Sequence, residues 1–274
     1  MARISVVCIT IRPGVFRFLR ETLEAQTFKD FELVVVDGIY EKRHLEVAEY
    51  MKGFPFPFKH IPEGKRTKRY ALAQADNVGI KESSGELVVW LQDFILIPPD
   101  GLQKYWDLYQ AHPDAMYTGV DGRISVLPDG PVDLENPTDI LMGGTWKRGR
   151  LDYVNQRGFD KEIRQSYDAF EFELNWAAFA RTVAEDIGGF NEEFDHGFAY
   201  DNTEFAFRAL TIGKEMWLDP TNYAEALNHW ELFPAADDPF VPEREQAVQE
   251  NNLRYKAYVE AVKLGQAPIY MNYL

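Results

Sequence analysis

Apolar runs and polar-faced periodic stretches alternate along the first hundred residues. Ile4–Thr10 reads as a short apolar strand. A loop, Ile11-Arg12-Pro13-Gly14, follows it, with Pro13 suited to the first turn of a helix. Val15, Phe18, Leu19, Thr22 and Leu23 then repeat at helical spacing as far as Gln26. Phe31–Val36 is a second strand that ends in Asp37-Gly38, and Leu45, Ala48 and Met51 mark a second, polar-faced helix. Phe58–Ile61 reads as a short third strand and Arg69–Glu82 as a third helix, closed by Ser83-Ser84-Gly85. Leu87–Leu91 is an unbroken apolar run, as expected of a central strand covered on both faces, and it gives way to Gln92 and Asp93. Pro98-Pro99-Asp100 opens another helix. Strand and helix in alternation, with short turns, predict an α/β fold: a parallel sheet with right-handed crossovers.

From about Leu108 the alternation weakens. Met116–Val120 and Arg123–Val126 read as strands around Asp121-Gly122, and Pro128–Arg164, rich in Gly, Pro, Asp and Arg, as a long excursion. Phe172–Ala180 is apolar, Arg181–Ile187 a short helix, Asp201–Ile212 a helix stopped by Gly213, and Glu215–Leu218 a strand ended by Pro220. Pro242–Leu264 is a long charged helix, expected to pack on the main domain or on a second subunit. The expected division is an α/β half over 1–107, a second half of the same domain over 108–230, and a helical extension over 231–274.

Composition narrows the function classes. Net charge is −15, which argues against broad contact with nucleic acid or anionic lipid. A local basic patch, Lys65, Arg66, Lys68 and Arg69, stands against that background. No run approaches the ~18 apolar residues of a membrane span. MARISVVCIT reads as a strand and not as a signal peptide, and the single cysteine, Cys8, rules out an internal disulfide; these features predict a cytoplasmic protein. No GxGxxG follows the first strand and no Walker-type lysine loop exists, which sets aside a Rossmann oxidoreductase. Asp93, at the C-terminal end of a central strand, lies where open α/β sheets bind ligands.

Four segments resemble one family, the family 2 glycosyltransferases of the GT-A fold. ISVVCITIRP, the link LEAQTFKDFE and FELVVVDG are similar to its opening strand, link and second strand ending in Asp. TKRYALAQADNVGIKESSGELVVWLQDF is similar to its Arg-containing helix, Gly-Glu step and acidic metal motif. DIGGFNEEFDHGFAYDNTEFAFRALTIG resembles its acceptor segment, and His229 follows alone after a strand and loop. The likeness runs from Ile4 to about Trp230. It implies a mostly parallel central sheet flanked by helices, with an acceptor-side portion and a terminal helix.

The resemblance implies roles residue by residue. Thr10 and Arg12 lie near the base or ribose of the nucleotide. Asp37 accepts a hydrogen bond from a uracil ring nitrogen, or else caps the turn after it. Arg69 reaches the diphosphate. Asp93, in Gln92-Asp93-Phe94, is the one carboxylate remaining of a D-x-D motif that holds Mn²⁺ or Mg²⁺. His229 is a further metal ligand, a structural residue, or a cover for the nucleotide. Asp201 is the general base or a helix N-cap, with Glu204 as the backup base. Glu173 and Trp176 are candidates for the acceptor side, with a core position as the alternative for Trp176.

These features together predict an inverting transferase that moves a sugar from a nucleoside-diphosphate sugar, UDP-linked, to an acceptor hydroxyl. Its partners are that donor and a glycan or small-molecule acceptor, with a nucleic-acid or protein acceptor as an alternative and a homo-oligomer through the terminal helix as a further expectation. The reduced metal motif and the Asp201-Asn202 pair keep open a sugar-nucleotide-binding protein without turnover.

Overall fold

Ten strands and their polar turns fold into one mixed sheet among the described residues. In the computed structural model, residues 2–128, 133, 135–144, 146–152, 162–227 and 241–274 are described. The first half supplies β1 (Ile4–Thr10), α1 (Val15–Glu24), β2 (Phe31–Asp37), α2 (Tyr40–Tyr50), β3 (Phe58–Pro62), α3 (Leu72–Glu82), β4 (Leu87–Leu91), β5 (Ile95–Leu96) and α4 (Gly101–Ala111). The second half supplies β6 (Ala115–Pro128), α5 (Pro137–Met142), β7 (Trp146–Asp152), β8 (Arg164–Gln165), β9 (Trp176–Ala180), α6 (Arg181–Ile187), α7 (Asp201–Thr211), β10 (Glu215–Leu227) and α8 (Val241–Lys263). The strands run β3-β2-β1-β4-β9-β6-β10-β5, with β7 on β6 and β8 on β10.

The strands of β3-β2-β1-β4 are mutually parallel, as the alternation predicts. The sheet turns mixed at β9, which lies antiparallel to both β4 and β6. All positions of β1 but Ile9, and all of β2, β4 and β9, are buried, so these strands are covered on both faces. One face carries α1 and α4 with Phe16, Leu19, Tyr105 and Trp176; the other carries α3, α6 and α7 with Trp90, Phe179, Phe190 and Phe205.

Several boundaries differ from the sequence reading. The helix expected from Arg69 begins at Leu72, because Lys68 and Arg69 are drawn off to Glu192 and Glu243. Asp121-Gly122 does not divide two strands: β6 runs straight through it, with Gly122 paired to Glu225. Pro220 does not end β10 either; the register shifts between Leu218 and Tyr223, and pairing to β6 resumes. α8 packs on the body of its own chain, burying Ala247 and Asn251. The excursion 128–164 contains α5 and β7 among its described residues. No helix among the described residues is long and apolar enough to cross a membrane.

Candidate functional site

Parallel pairing brings the ends of β1, β2 and β4 to one edge, and the polar residues that follow each strand meet there. Thr10 pairs with Asp37 in register. Thr10 Oγ1 donates to Asp93 Oδ2 at 2.9 Å, and Arg12 donates through Nη1 to Asp93 Oδ1. The backbone N–H of Arg12 returns to Thr10 Oγ1 at 3.1 Å. Phe94, beside Asp93, has φ 64. Asp93 is thus buried and held on both oxygens, while Arg12 is 23% exposed and faces the open edge.

Asp37 is more tightly enclosed. Arg43 of α2 grips it with two parallel hydrogen bonds, Nε to Oδ2 at 2.6 Å and Nη2 to Oδ1 at 2.8 Å. His60 Nε2 lies 2.8 Å from Oδ2, and the N–H of Ile39 donates to Oδ1 at 2.9 Å. A carboxylate offers about four acceptor positions, and all are used. Burial pushes the Asp37 carboxyl up, but the hydrogen bonds from His60 and Arg43 and the guanidinium charge outweigh it, holding the group below the ordinary range. A uracil N–H, the expected partner of Asp37, would have to share or displace one of these bonds. Both the turn-holding bond to Ile39 and the ion pair belong to the structure of the edge.

Arg69 lies in the loop before α3. Its guanidinium pairs with Glu243 at 2.6 Å and Glu250 at 3.7 Å, both on α8. Trp176 takes the core alternative: it is 1% exposed, its ring packs 4.6 Å from Tyr105, and Gly119 allows its close approach, since a Cβ there would sit 2.4 Å from Cδ1. It therefore offers no face to a sugar. Glu173 is half-buried in the segment before β9, next to Phe172, whose carbonyl accepts from Asn202 at 2.7 Å. His229 lies outside the described residues.

Asp201, in the second half, has the opposite surroundings. Asp201 is the first residue of α7; the cap position belongs to Tyr200, whose side chain makes no capping bond. Ala199 and Tyr200 are both left-handed, at φ 62 and 71, which costs a residue with a Cβ roughly 1–2 kcal/mol. Burial pushes the Asp201 carboxyl up to about 7. The nearby charges of Asp195 and Glu204 push the same way, and the N–H groups of Asp201 and Asn202 oppose them only in part. A carboxylate tuned near neutrality suits general-base work.

Glu204 does not share that position. It is fully buried, and Arg208 donates to it through Nε at 2.8 Å while giving its other N–H groups to the carbonyls of Ile187 and Gly189. Burial pushes Glu204 up, and Arg208 and Asn191 oppose that. The backup base is a core ion pair.

Sequence reasoning missed Asp76 and the pair Arg43 and His60. Asp76 is 1% exposed on α3, and its Oδ1 has no hydrogen-bond partner. Burial, then Asp201, then Asp195 push its carboxyl well up. The signal was present: Ala73, Asp76, Asn77 and Ile80 fall at the spacing of one buried helix face, so an acid stands where an apolar residue belongs. Arg43 has no such signal, because it stands in a helix that reads as polar. Asp195, between these elements, accepts from the N–H groups of Ala73 and Gln74 at 2.9 and 3.0 Å and so caps α3 from a distant turn.

The described residues do not by themselves fit a divalent metal. No group of three His, Cys, Asp or Glu among them is placed to hold one. Both oxygens of Asp93 are taken, one by a guanidinium.

The comparisons with known proteins agree with this fold. The mannosyltransferase PcManGT of Pyrobaculum calidifontis, solved with GDP-Man and Mn²⁺, is similar over 97% of this chain and 66% of its own, with TM-score 0.59 and 18% identity. S. aureus TarS 1-349 in complex with UDP gives TM-score 0.58 at 16% identity over 82% and 60% of the two chains. GalNAc-T7 with UDP, GalNAc and Mn²⁺ gives TM-score 0.60 at 15% identity over 83% and 44%. The sheet and its flanking helices are those of the GT-A glycosyltransferases. A glucosyl-dolichyl phosphate glucuronosyltransferase of Haloferax volcanii is 23% identical over 192 residues, 69% of this chain; the chain spans 56% of that relative's length. The profile described as Glycosyl transferase family 2 matches residues 6–166, more than half of the chain, and the chain belongs to that family.

Proposed function

We propose that the chain transfers a sugar from a nucleoside-diphosphate sugar to an acceptor hydroxyl with inversion, Asp201 acting as general base. The observation that carries this reading is a carboxylate at the head of α7, buried, with no cation partner among the described residues and pushed up to about 7. The acceptor oxygen attacks the anomeric carbon as its proton passes to Asp201. The bond to the diphosphate breaks, and its electron pair leaves with the diphosphate. Thr10, Arg12 and Asp93 form the donor edge, and the exposed part of the Arg12 guanidinium is suited to the developing negative charge. Arg69 joins it only by leaving Glu243 and Glu250. Asp37 acts on this side indirectly, by fixing Arg43 and His60. Glu173, beside the Asn202 contact, is the acceptor-side candidate that remains.

Mn²⁺ or Mg²⁺, the former present in two structural neighbours, is expected at Asp93 only together with the nucleotide. UDP is the favoured base on the strength of neighbours solved with UDP; GDP-Man in another keeps guanine as the competitor. A thermal-shift panel of UDP, GDP and their sugars, with and without Mn²⁺, tests the reading. The largest shift is expected from a UDP-sugar with Mn²⁺. Equal shifts from UDP and GDP would remove the uridine assignment, and no shift from any nucleotide would overturn the donor site.

A further inference from the structure

The turn that delivers Asp201 is held from outside by α8. Ala199 and Tyr200, both left-handed, stand immediately before Asp201. Two such residues in succession persist only where their surroundings over-determine them. Asn251 of α8, fully buried, supplies that constraint. Its Nδ2 donates to the carbonyl of Ala199 at 2.7 Å and to that of Phe194 at 2.9 Å, so one amide ties both ends of the segment before α7. Arg254, nearly one turn along α8, donates to Asn251 Oδ1 and fixes which way the amide faces. The N–H of Phe198 donates to the carbonyl of Ala247 at 3.2 Å, and the Phe198 ring lies between Tyr70 and the Arg244 guanidinium. Gly197 permits the approach: a Cβ there would stand 2.4 Å from Asn251 Oδ1. On the opposite side Asp195 is fastened to the start of α3.

We infer that Asn251 is a positioning residue for catalysis: its two hydrogen bonds hold the left-handed Ala199–Tyr200 turn and so set the direction in which Asp201 meets the acceptor. The inference rests on the general-base reading of Asp201. It also gives α8 a part in the site, although α8 begins thirty residues after α7 ends, Val241 against Thr211. A purely structural Asn251 would affect stability alone. A positioning Asn251 affects turnover, and also the proton affinity of Asp201, because a loosened turn admits water to that carboxylate. Among the described residues, the other ionisable groups facing Asp201 are Asp195 on the preceding turn, Glu204 on α7 and Asp76 on α3, and none of them is substituted in the test.

The test is Asn251→Leu, similar in size but without donors. It is assayed by nucleoside diphosphate release from whichever of UDP-glucose, UDP-glucuronate, UDP-GlcNAc and GDP-mannose the unaltered protein turns over. The expected result is a kcat lower by about tenfold or more, a donor KM unchanged within about twofold, and an acid limb of the kcat–pH profile moved to lower pH. Unaltered kcat and acid limb with a lowered Tm would overturn the inference. Should Asn251→Leu fail to fold, Arg254→Met keeps both donors but frees the amide; the same shifts at smaller size are expected, and an unaltered profile would overturn the inference there too. Asp201→Asn separates the two claims. If it abolishes turnover while Asn251→Leu does not lower it, the positioning role falls alone. If Asp201→Asn turns over normally, the base reading falls and the inference with it.

Discussion

Asp37 and Asp201 are the same residue type at opposite sides of the candidate site, and their environments push them in opposite directions. Asp37, at the end of β2, meets a guanidinium and an imidazole and keeps its charge. Asp201, at the start of α7, is pushed up to about 7 by burial first, with Asp195 and Glu204 adding to it. Both are buried, so burial alone does not decide proton affinity; the partner does. A carboxylate saturated with donors is a fixed structural anion. A carboxylate without a cation is able to take a proton, which is what a base facing an acceptor hydroxyl requires.

The largest stability effect is expected where the charge is paired. Asp37→Ala leaves Arg43 buried and uncompensated at 1% exposure, which costs about 3–5 kcal/mol. Chemical denaturation read alongside Asp37→Ala/Arg43→Leu checks it: the double variant should recover part of the loss. A Tm unchanged in Asp37→Ala would mean that the pair is not closed in solution.

Asp201 should behave in the reverse sense. Its folded-state carboxyl is raised, so the folded protein binds the proton that the unfolded chain releases, and stability falls as pH rises from about 4 to about 7. Removing the charge should therefore stabilise. A rise from the ordinary Asp value to about 7 corresponds to about 4 kcal/mol at most, so Asp201→Asn should gain up to a few kcal/mol at pH 8 and little at pH 4. Denaturation curves at the two pH values check this; equal gains at both would show that Asp201 is not strained by its charge. For Asp37 the sign is opposite: its contribution is full above the ordinary Asp range and is lost as pH falls through its lowered folded value.

A smaller effect is expected at Arg12. Its guanidinium is partly exposed and bound to one carboxylate, so Arg12→Ala should weaken donor binding by about tenfold, the worth of one charge-assisted bond, with little loss of Tm. Calorimetry with UDP or GDP checks it. Undiminished affinity would remove Arg12 from the donor edge.

The first half was legible because each strand is an apolar run closed by a polar residue, and parallel register then carries Thr10, Asp37 and Asp93 to one edge. What that pattern does not carry is the partner of each carboxylate. Arg43 reaches Asp37 from a helix that reads as polar, and His60 from a strand with no fully buried residue. The second half was harder. Asp121-Gly122 and Pro220 read as strand ends, yet β6 and β10 pass through them by pairing with each other and absorbing the misfit in a register shift. Glu204 and Asp201 differ by less than one helical turn, and sequence could not say that Arg208 claims the first and not the second. Asp76 was readable as a break in an apolar face, but the carboxylates it meets come from turns that only the fold brings together.

The central claim is that Asp201 takes the acceptor's proton while the donor edge stands apart from it. Asp201→Asn, assayed for donor affinity by calorimetry and for sugar transfer with a donor and acceptor that the unaltered protein uses, tests it most directly. The account predicts that transfer falls by about 10²–10⁴-fold with donor affinity essentially unchanged. Transfer at the unaltered rate, with donor affinity equally intact, would contradict it.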